Sequence, residues 1–387
     1  MRRKYYICLT ITAALFAACD HDEMPLPADA APIAFSAVMA DMPDGSATTR
    51  GDVRDGSLAV SFVTSPMTDV ALTRSETDLA SLKSGDGFGV FAEYTGTHRH
   101  DDSSVRPDFM YNQRVSWYSD SWTYSPLKYW PSGKGVDAGI RQYVSFFAYA
   151  PYSDLNGSLP ATNPAGYCIS GFSNAGDYGD PWLTYRLIPA EHLAQQVDLL
   201  YAQKTDQTDP METGAVVFTF THALACVGDE IILSVKDDLK EELRKYVNGG
   251  VTSVELRLVS VDVTYSLTAK GRLPLWDDGM PSWQTIQSGD HLTERTLSLL
   301  SDGAHALYTW DGSTAGGTSW TDTGHGVYCL PVEALEYPQQ AALTISYQVV
   351  LNGSMVFSSK EDTATVPLGY QLVAGERLGL KVSIVAP

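Results

Sequence analysis

Between Leu343 and Leu351 the chain alternates. Leu343, Ile345, Tyr347, Val349 and Leu351 are separated by Thr344, Ser346, Gln348 and Val350. A period of two puts one set of side chains on each side of an extended ribbon, so this segment reads as a strand with one buried face. Asn352-Gly353 follows at once, and then Met355-Val356-Phe357. Asn-Gly between two strand-like runs predicts a hairpin, because both central residues of a type I′ turn need positive φ. The pattern returns in Leu378, Leu380, Val382 and Ile384. Val254, Leu256 and Leu258 share one parity, while Val259, Val261 and Val263 take the other. A parity switch inside one run predicts a bulge or a strand that changes sheets. One short helix is expected after these patterns are assigned. Asp238 would cap it, Glu241 would complete a capping box, and Leu239, Leu243 and Val247 keep i, i+4 spacing up to Asn248-Gly249-Gly250. The sum is an all-β chain of packed sandwiches decorated by one short helix, not a helical or Rossmann architecture.

With 387 residues, 44% of them hydrophobic, the chain has material for two domains of ordinary size. The polar stretch from Gln203 to Gly214, which contains Pro210, marks the expected boundary. The expected domains are therefore 33–208 and 209–387. Two Gly/Ser/Asn/Asp-rich segments, 153–182 and 311–326, read as long loops.

The N-terminus is an export segment. Arg2, Arg3 and Lys4 precede an apolar run from Tyr5 to Ala14 and the small residues Ala17-Ala18, which describes a secretory signal. Tyr5 to Ala18 is shorter than the ~20 residues that span a bilayer. Leu15-Phe16-Ala17-Ala18-Cys19 resembles the lipobox of bacterial lipoproteins. That resemblance implies removal of residues 1–18 and diacylation of Cys19, with the outer membrane as a partner of the precursor. Residues 19–32 then form an acidic, Pro/Ala-rich flexible leader. Its Asp20, Asp22 and Glu23 resemble the surface-export signal of lipoproteins in Gram-negative anaerobes, which implies a surface-exposed outer-membrane location. Without residues 1–18 the chain has 23 basic and 46 acidic residues, a net charge of −23. No basic patch appears, so nucleic acid is not an expected partner.

Signatures of catalysis are scarce. There is no His-Glu-x-x-His, no Gly-x-Ser-x-Gly and no phosphate-binding glycine loop, so neither an enzyme nor a cofactor is expected. Cys168, Cys226 and Cys329 have no Cys-x-x-Cys spacing and read as isolated buried thiols. His98 and His100 stand beside Asp101 and Asp102, but their surroundings read as a solvated loop, and no metal site is expected. His222, in Thr221-His222-Ala223-Leu224, reads as a structural residue at the end of a strand. Trp117, Tyr118, Trp122, Tyr124, Tyr129 and Trp130 form an aromatic cluster. Trp117, Trp122 and Trp130 are candidates for stacking on sugar faces, although such a cluster more often divides between a sandwich core and its rim. Arg50-Gly51-Asp52 spells the integrin tripeptide, and Asp362-Thr363-Ala364 resembles a short O-glycosylation sequon. Both are weak signals.

Several segments together resemble the fimbrillin family, the lipoprotein pilins of Bacteroidota-type surface fimbriae. They are Gly85-Asp86-Gly87-Phe88-Gly89-Val90-Phe91-Ala92, Pro126-Leu127-Lys128-Tyr129-Trp130-Pro131 and Val144-Ser145-Phe146-Phe147-Ala148-Tyr149-Ala150-Pro151-Tyr152. Asp198-Leu199-Leu200-Tyr201-Ala202, Phe218-Thr219-Phe220-Thr221-His222-Ala223-Leu224-Ala225 and Ala374-Gly375-Glu376-Arg377-Leu378 complete the series. The resemblance implies two tandem β-sandwich domains of transthyretin-like type and assembly with other fimbrial subunits by donor-strand exchange. In that scheme a protease cuts after an N-terminal arginine, and a neighbour's strand fills the groove left behind. Thr49-Arg50 and Thr73-Arg74 are the two candidate sites. Arg74 is preferred because a cut there releases both strand-like runs, Ile33 to Val38 and Leu58 to Val63. The chain extends only three residues past Ile384, with no visible donor extension, so a tip or minor subunit contributing to adhesion is expected, with a host or bacterial surface ligand as a further partner. The alternative is a monomeric glycan-binding surface lipoprotein. A sandwich hydrolase ranks below both.

Overall fold

The computed structural model describes residues 31–40, 48–67, 77–101, 104–131, 141–209, 214–277, 281–286, 292–300, 303–331, 339–368 and 372–386. The chain begins with β1 (Phe35–Met39), β2 (Thr48–Asp55), β3 (Leu58–Pro66), α1 (Leu79–Ser84), β4 (Phe88–Gly96), β5 (Met110–Tyr118), β6 (Ser121–Thr123) and β7 (Tyr143–Ala150). Next come α2 (Pro164–Cys168), β8 (Ile169–Phe172), β9 (Trp182–Arg186), a 3-10 turn (Ala190–Gln195), β10 (Leu200–Gln207), β11 (Val216–His222) and β12 (Ala225–Val235). After α3 (Asp237–Arg244) follow β13 (Val254–Thr268), β14 (Lys270–Pro274), β15 (Gln284–Thr285), β16 (Leu292–Ser298) and β17 (His305–Trp310). The remaining strands are β18 (Ala315–Gly316), β19 (Trp320–Thr323), β20 (Val327–Cys329), β21 (Gln340–Leu351), β22 (Met355–Pro367) and β23 (Glu376–Ile384).

The fold is all-β and, among the described residues, built on four sheets. The first is ordered β1-β11-β10-β7-β4-β5-β6, and the second β19-β12-β23-β3-β2, with β20 also on β12. The third is β18-β17-β13-β21-β22 with β16 on β13, and the fourth is β15-β14-β9-β8. Sheet membership does not follow sequence order. The N-terminal β2 and β3 join the sheet of β12 and β23, whereas β11 pairs with β1 and β10. The expected division at 208/209 falls between β10 and β11, which are neighbours in one sheet.

Near-continuous apolar runs explain the first sheet. In β7, Phe146, Ala148 and Ala150 face one hydrophobic cluster, while Phe147 and Tyr149 face the other. β4 divides in the same way, with Phe88, Val90 and Ala92 on one side and Phe91 on the other. A strand buried on both faces has no polar alternation to display. Gly87 leads into β4 with φ +71°, and a Cβ there would lie 2.0 Å from the Val115 carbonyl oxygen. Gly87→Ala therefore combines a left-handed backbone with a collision against backbone, which cannot swing away. We expect a loss of roughly 2–4 kcal/mol in chemical denaturation. A loss under 0.5 kcal/mol would mean that β4 and β5 part easily.

The hairpin at Asn352-Gly353 is present, with φ of 51° and 75° at the two residues and the Ser354 amide donating to the Leu351 carbonyl. The parity switch in β13 is a bulge. Its register against β21 slips between Leu258 and Ser260, and Val259 is extruded to solvent while Val261 and Val263 are buried. The helix content differs from the single helix expected, since three short helices lie among the described residues. α3 starts earlier than expected: Lys236 is its N-cap, and Asp238 sits in the first turn. α1 is capped by a reciprocal Asp78–Ser81 box, a signal obscured by the short run that follows it. Segment 153–182 contains α2 and β8, and 311–326 contains β18 and β19, so both are less loop-like than their composition suggests. Gln203 to Gln207 belongs to β10 instead of to a linker. Cys168, Cys226 and Cys329 are unpaired and buried; burial pushes the Cys168 thiol up to about 12 and raises the other two as well.

Candidate functional site: the seats of the two N-terminal strands

The two strand-like runs at the N-terminus are β1 and β3, and they enter different sheets. β3 alternates cleanly, with Leu58, Val60, Phe62 and Thr64 turned inward. Leu58, Val60 and Phe62 are at most 1% exposed, and Met67, just beyond the strand, is fully buried. All nine residues of β3 are in antiparallel register with β23, from Leu58 opposite Ile384 to Pro66 opposite Glu376. β2 covers the other side of β3 and forms the sheet edge. Without β2 and β3, the ladder groups of β23 would face solvent beside a trough lined by Leu378, Leu380, Val382 and Ile384. Such a trough is a template for another strand.

The turn between β2 and β3 is pinned by a polar cluster. Ser57 hydrogen-bonds Asp362. The Tyr347 hydroxyl donates to Asp362 Oδ2 at 2.7 Å, and Lys360 Nζ donates to Ser57 Oγ at 3.1 Å. Burial alone would raise the Asp362 carboxyl, but the bonds from Ser57, Tyr347 and Lys360 together hold it below the usual carboxylate range.

β1 lies at the edge of the first sheet, parallel to β11. Ile33, Phe35, Ala37 and Met39 point into the cluster around Phe146 and Phe218, and the Phe35 ring lies 5.6 Å from that of Phe218. Its other flank is held by the segment Tyr124–Trp130. The Ile33 amide donates to the Lys128 carbonyl, the Trp130 amide to the Ala31 carbonyl, and the Tyr124 hydroxyl to the Ile33 carbonyl. Burial pushes the Tyr124 hydroxyl up to about 12. The Pro126–Pro131 motif is thus a wall of the β1 seat.

At Thr77 the chain is tied to the body of the fold. The Thr77 amide donates to Asp198 Oδ2 at 3.1 Å, and its hydroxyl donates to the Asp198 carbonyl at 3.0 Å. His222 Nδ1 lies 2.8 Å from the same carboxylate oxygen, and both side chains are at most 3% exposed. His222 is therefore a structural residue, as expected. The Asp198–His222 pair is not evident from the sequence, because the two residues lie in segments 24 positions apart.

Of the predicted site residues, Cys19 and Arg74 lie outside the described residues. Arg50 lies in β2, in register with Phe62, so Arg50-Gly51-Asp52 is part of a strand. Trp122 and Trp130 are buried in the core around Phe88 and Phe146, so protein already covers their faces. Trp117 is half-buried against Trp122 with Lys83 over its ring. His98 is exposed, but the expectation of a solvated loop fails at His100. The His100 ring is enclosed with Glu93 and Asp180. Burial pushes the Glu93 carboxyl up to about 7. Burial alone would lower the His100 imidazole, but its hydrogen bond to Asp180 and the nearby Glu93 carboxylate raise it to about 10.

Comparison with known proteins agrees with this architecture. Residues 73–243 match the family described as fimbrillin-like. Fimbrium subunit Fim1C of Phocaeicola vulgatus is 32% identical over 177 residues, which cover 44% of this chain and 42% of that protein. The match thus spans less than half the length of this relative. A crystal structure of a fimbrial protein from Bacteroides vulgatus shares the fold, with a TM-score of 0.58 and 19% identity over 92% of this chain and 95% of that one. Residues 73–243 are thus similar to the fimbrillin-like family, and the fold is that of a fimbrial protein.

Proposed function

We propose that this protein is a fimbrial subunit, exported as a lipoprotein through Cys19 and assembled by strand exchange after cleavage at Arg74. The observation that carries the reading is the position of β3. It is an N-terminal strand whose inward side chains are fully buried and whose whole length pairs with β23. The chain after the cut is independently anchored at Thr77. Arg50 serves less well, because a cut there leaves β3 attached to its sheet. Cleavage at Arg74 frees β1, β2 and β3 together, and a neighbouring subunit's strand takes a vacated seat. The two hydrophobic clusters correspond in this reading to two transthyretin-like sandwich units, with the division near residue 209 crossed by β2, β3 and β11. β23 is held on both sides, by β12 and β3, which makes it a poor donor and favours a tip or minor subunit that accepts a strand and contributes to adhesion. The location is the outer-membrane surface for the precursor and the fimbrium for the processed form.

The test is the N-terminus and mass of the protein recovered from intact cell surfaces. A start at Ser75 without lipid is the expected result. A start at Gly51 moves the cut to Arg50 and leaves β3 in place, against β3 exchange. Acylated Cys19 on essentially all molecules overturns the polymerising role and leaves an anchor or a monomeric surface lipoprotein.

A further inference from the structure

We propose that Glu93, His100 and Asp180 form a site for one Zn²⁺ ion. The three come from separate parts of the chain: Glu93 from β4, His100 from the segment after it, and Asp180 from the approach to β9. One ligand atom from each lies within 4.8 Å of the others. His100 Nε2 is 2.6 Å from Asp180 Oδ1 and 3.5 Å from Glu93 Oε2. Zinc binds imidazole nitrogen and carboxylate oxygen at about 2.0–2.2 Å, so tetrahedral ligand atoms stand roughly 3.3 Å apart. The His100–Glu93 spacing already meets that value. The His100–Asp180 spacing reaches it through a small rotation of Asp180.

Glu93 supplies the second, independent observation. Its side chain is 0% exposed, and neither carboxylate oxygen accepts a hydrogen bond. A carboxylate taken wholly out of water needs a compensating charge or donor, and among the described residues His100, at 3.5 Å, is the cationic group paired with it. The site is also built from its other sides. The His100 amide donates to Asp206 Oδ1 at 2.7 Å, and the imidazole lies between the rings of Phe147 and Trp276, at 5.7 and 6.0 Å. Asp108 adds negative charge near Glu93. Arg99 is directed to Asp206 from an exposed position. Two carboxylates and a neutral imidazole balance a dication. The imidazole ligand selects zinc over calcium or magnesium, which favour all-oxygen sites, and a water would complete the tetrahedron.

The experiment titrates ZnCl2 into chelator-stripped full-length protein, read by calorimetry and thermal unfolding. The expected result is one ion per chain, a rising Tm and release of protons from the ligands. Asp180→Asn and His100→Gln are each expected to weaken binding by at least about tenfold while remaining folded without metal. CaCl2 at the same concentration should leave Tm unchanged. Co²⁺ in the unsubstituted chain should give the visible bands of a low-coordinate nitrogen and oxygen site, a readout that needs no variant to fold. Absence of stoichiometric zinc binding, equal affinity in both folded variants, an equal shift with calcium, or no cobalt bands would each overturn the assignment. None of these outcomes bears on strand exchange.

Discussion

A chain that starts at Ser75 is expected to aggregate on its own and to return to a monomer when residues 31–67 are supplied as a separate peptide. Leu58, Val60, Phe62 and Met67 leave the core in the truncated form. At roughly 1.5–3 kcal/mol for each buried side chain, they represent about 6–12 kcal/mol. That is an upper bound, because the unfolded chain buries some of this surface too. It still rivals the whole stability of an ordinary domain, about 5–15 kcal/mol. The exposed ladder of β23 would add an edge open to any extended segment. A peptide with Val60 and Phe62 both changed to Asp should not rescue, since both positions are fully buried in the seat. Size-exclusion chromatography with and without peptide reads the result. A truncated chain that stays monomeric and unfolds at the temperature of the full chain would remove β3 from any role in assembly.

Asp198→Ala is expected to cost about 2–5 kcal/mol, because it removes the acceptor from two buried polar groups at roughly 1–3 kcal/mol each. It leaves His222 without this carboxylate and removes the acceptor of the Thr77 amide. Asp198→Asn keeps an acceptor and should lose roughly half as much. Urea denaturation monitored by tryptophan fluorescence measures both. The structure also assigns the loss a place, because Thr77 is where the chain is fastened after the proposed cut. The alanine variant should therefore show faster proteolysis beyond residue 77 under native conditions. A shift of the alanine variant below about 1 kcal/mol would show that the pair contributes little to holding the chain after the cut.

What could be read from the sequence was what a short window contains. Residues 343–351 announced β21, Asn352-Gly353 its turn, and the parity switch in β13 its bulge, because these depend on neighbours two to four positions away. α1 was missed because its capping box precedes a helix of only six residues, too short for an apolar period to emerge. The partners of β3 and β11 were hidden for a different reason. Both strands pair with segments far along the chain, and an alternating strand says which face is buried without saying against what. The same limit applies to the zinc ligands. His100 beside Asp101 looked like a solvated loop, whereas the carboxylates that matter, Glu93 and Asp180, lie on another strand and in a distant turn.

The pairing of β3 with β23 has a consequence for biogenesis. A ribosome makes β3 long before β23, since Leu58 pairs with Ile384, and long-range pairings of this kind close slowly. Until β23 is made, β3 has no native neighbour on that side, and the seat is completed only when β23 arrives. Until then each nascent molecule carries both an ownerless strand and an unfinished slot. That is the condition for premature association between nascent chains. Tethering β3 to its own chain raises its local concentration at the slot, so closure within a molecule outruns capture of a neighbour's strand.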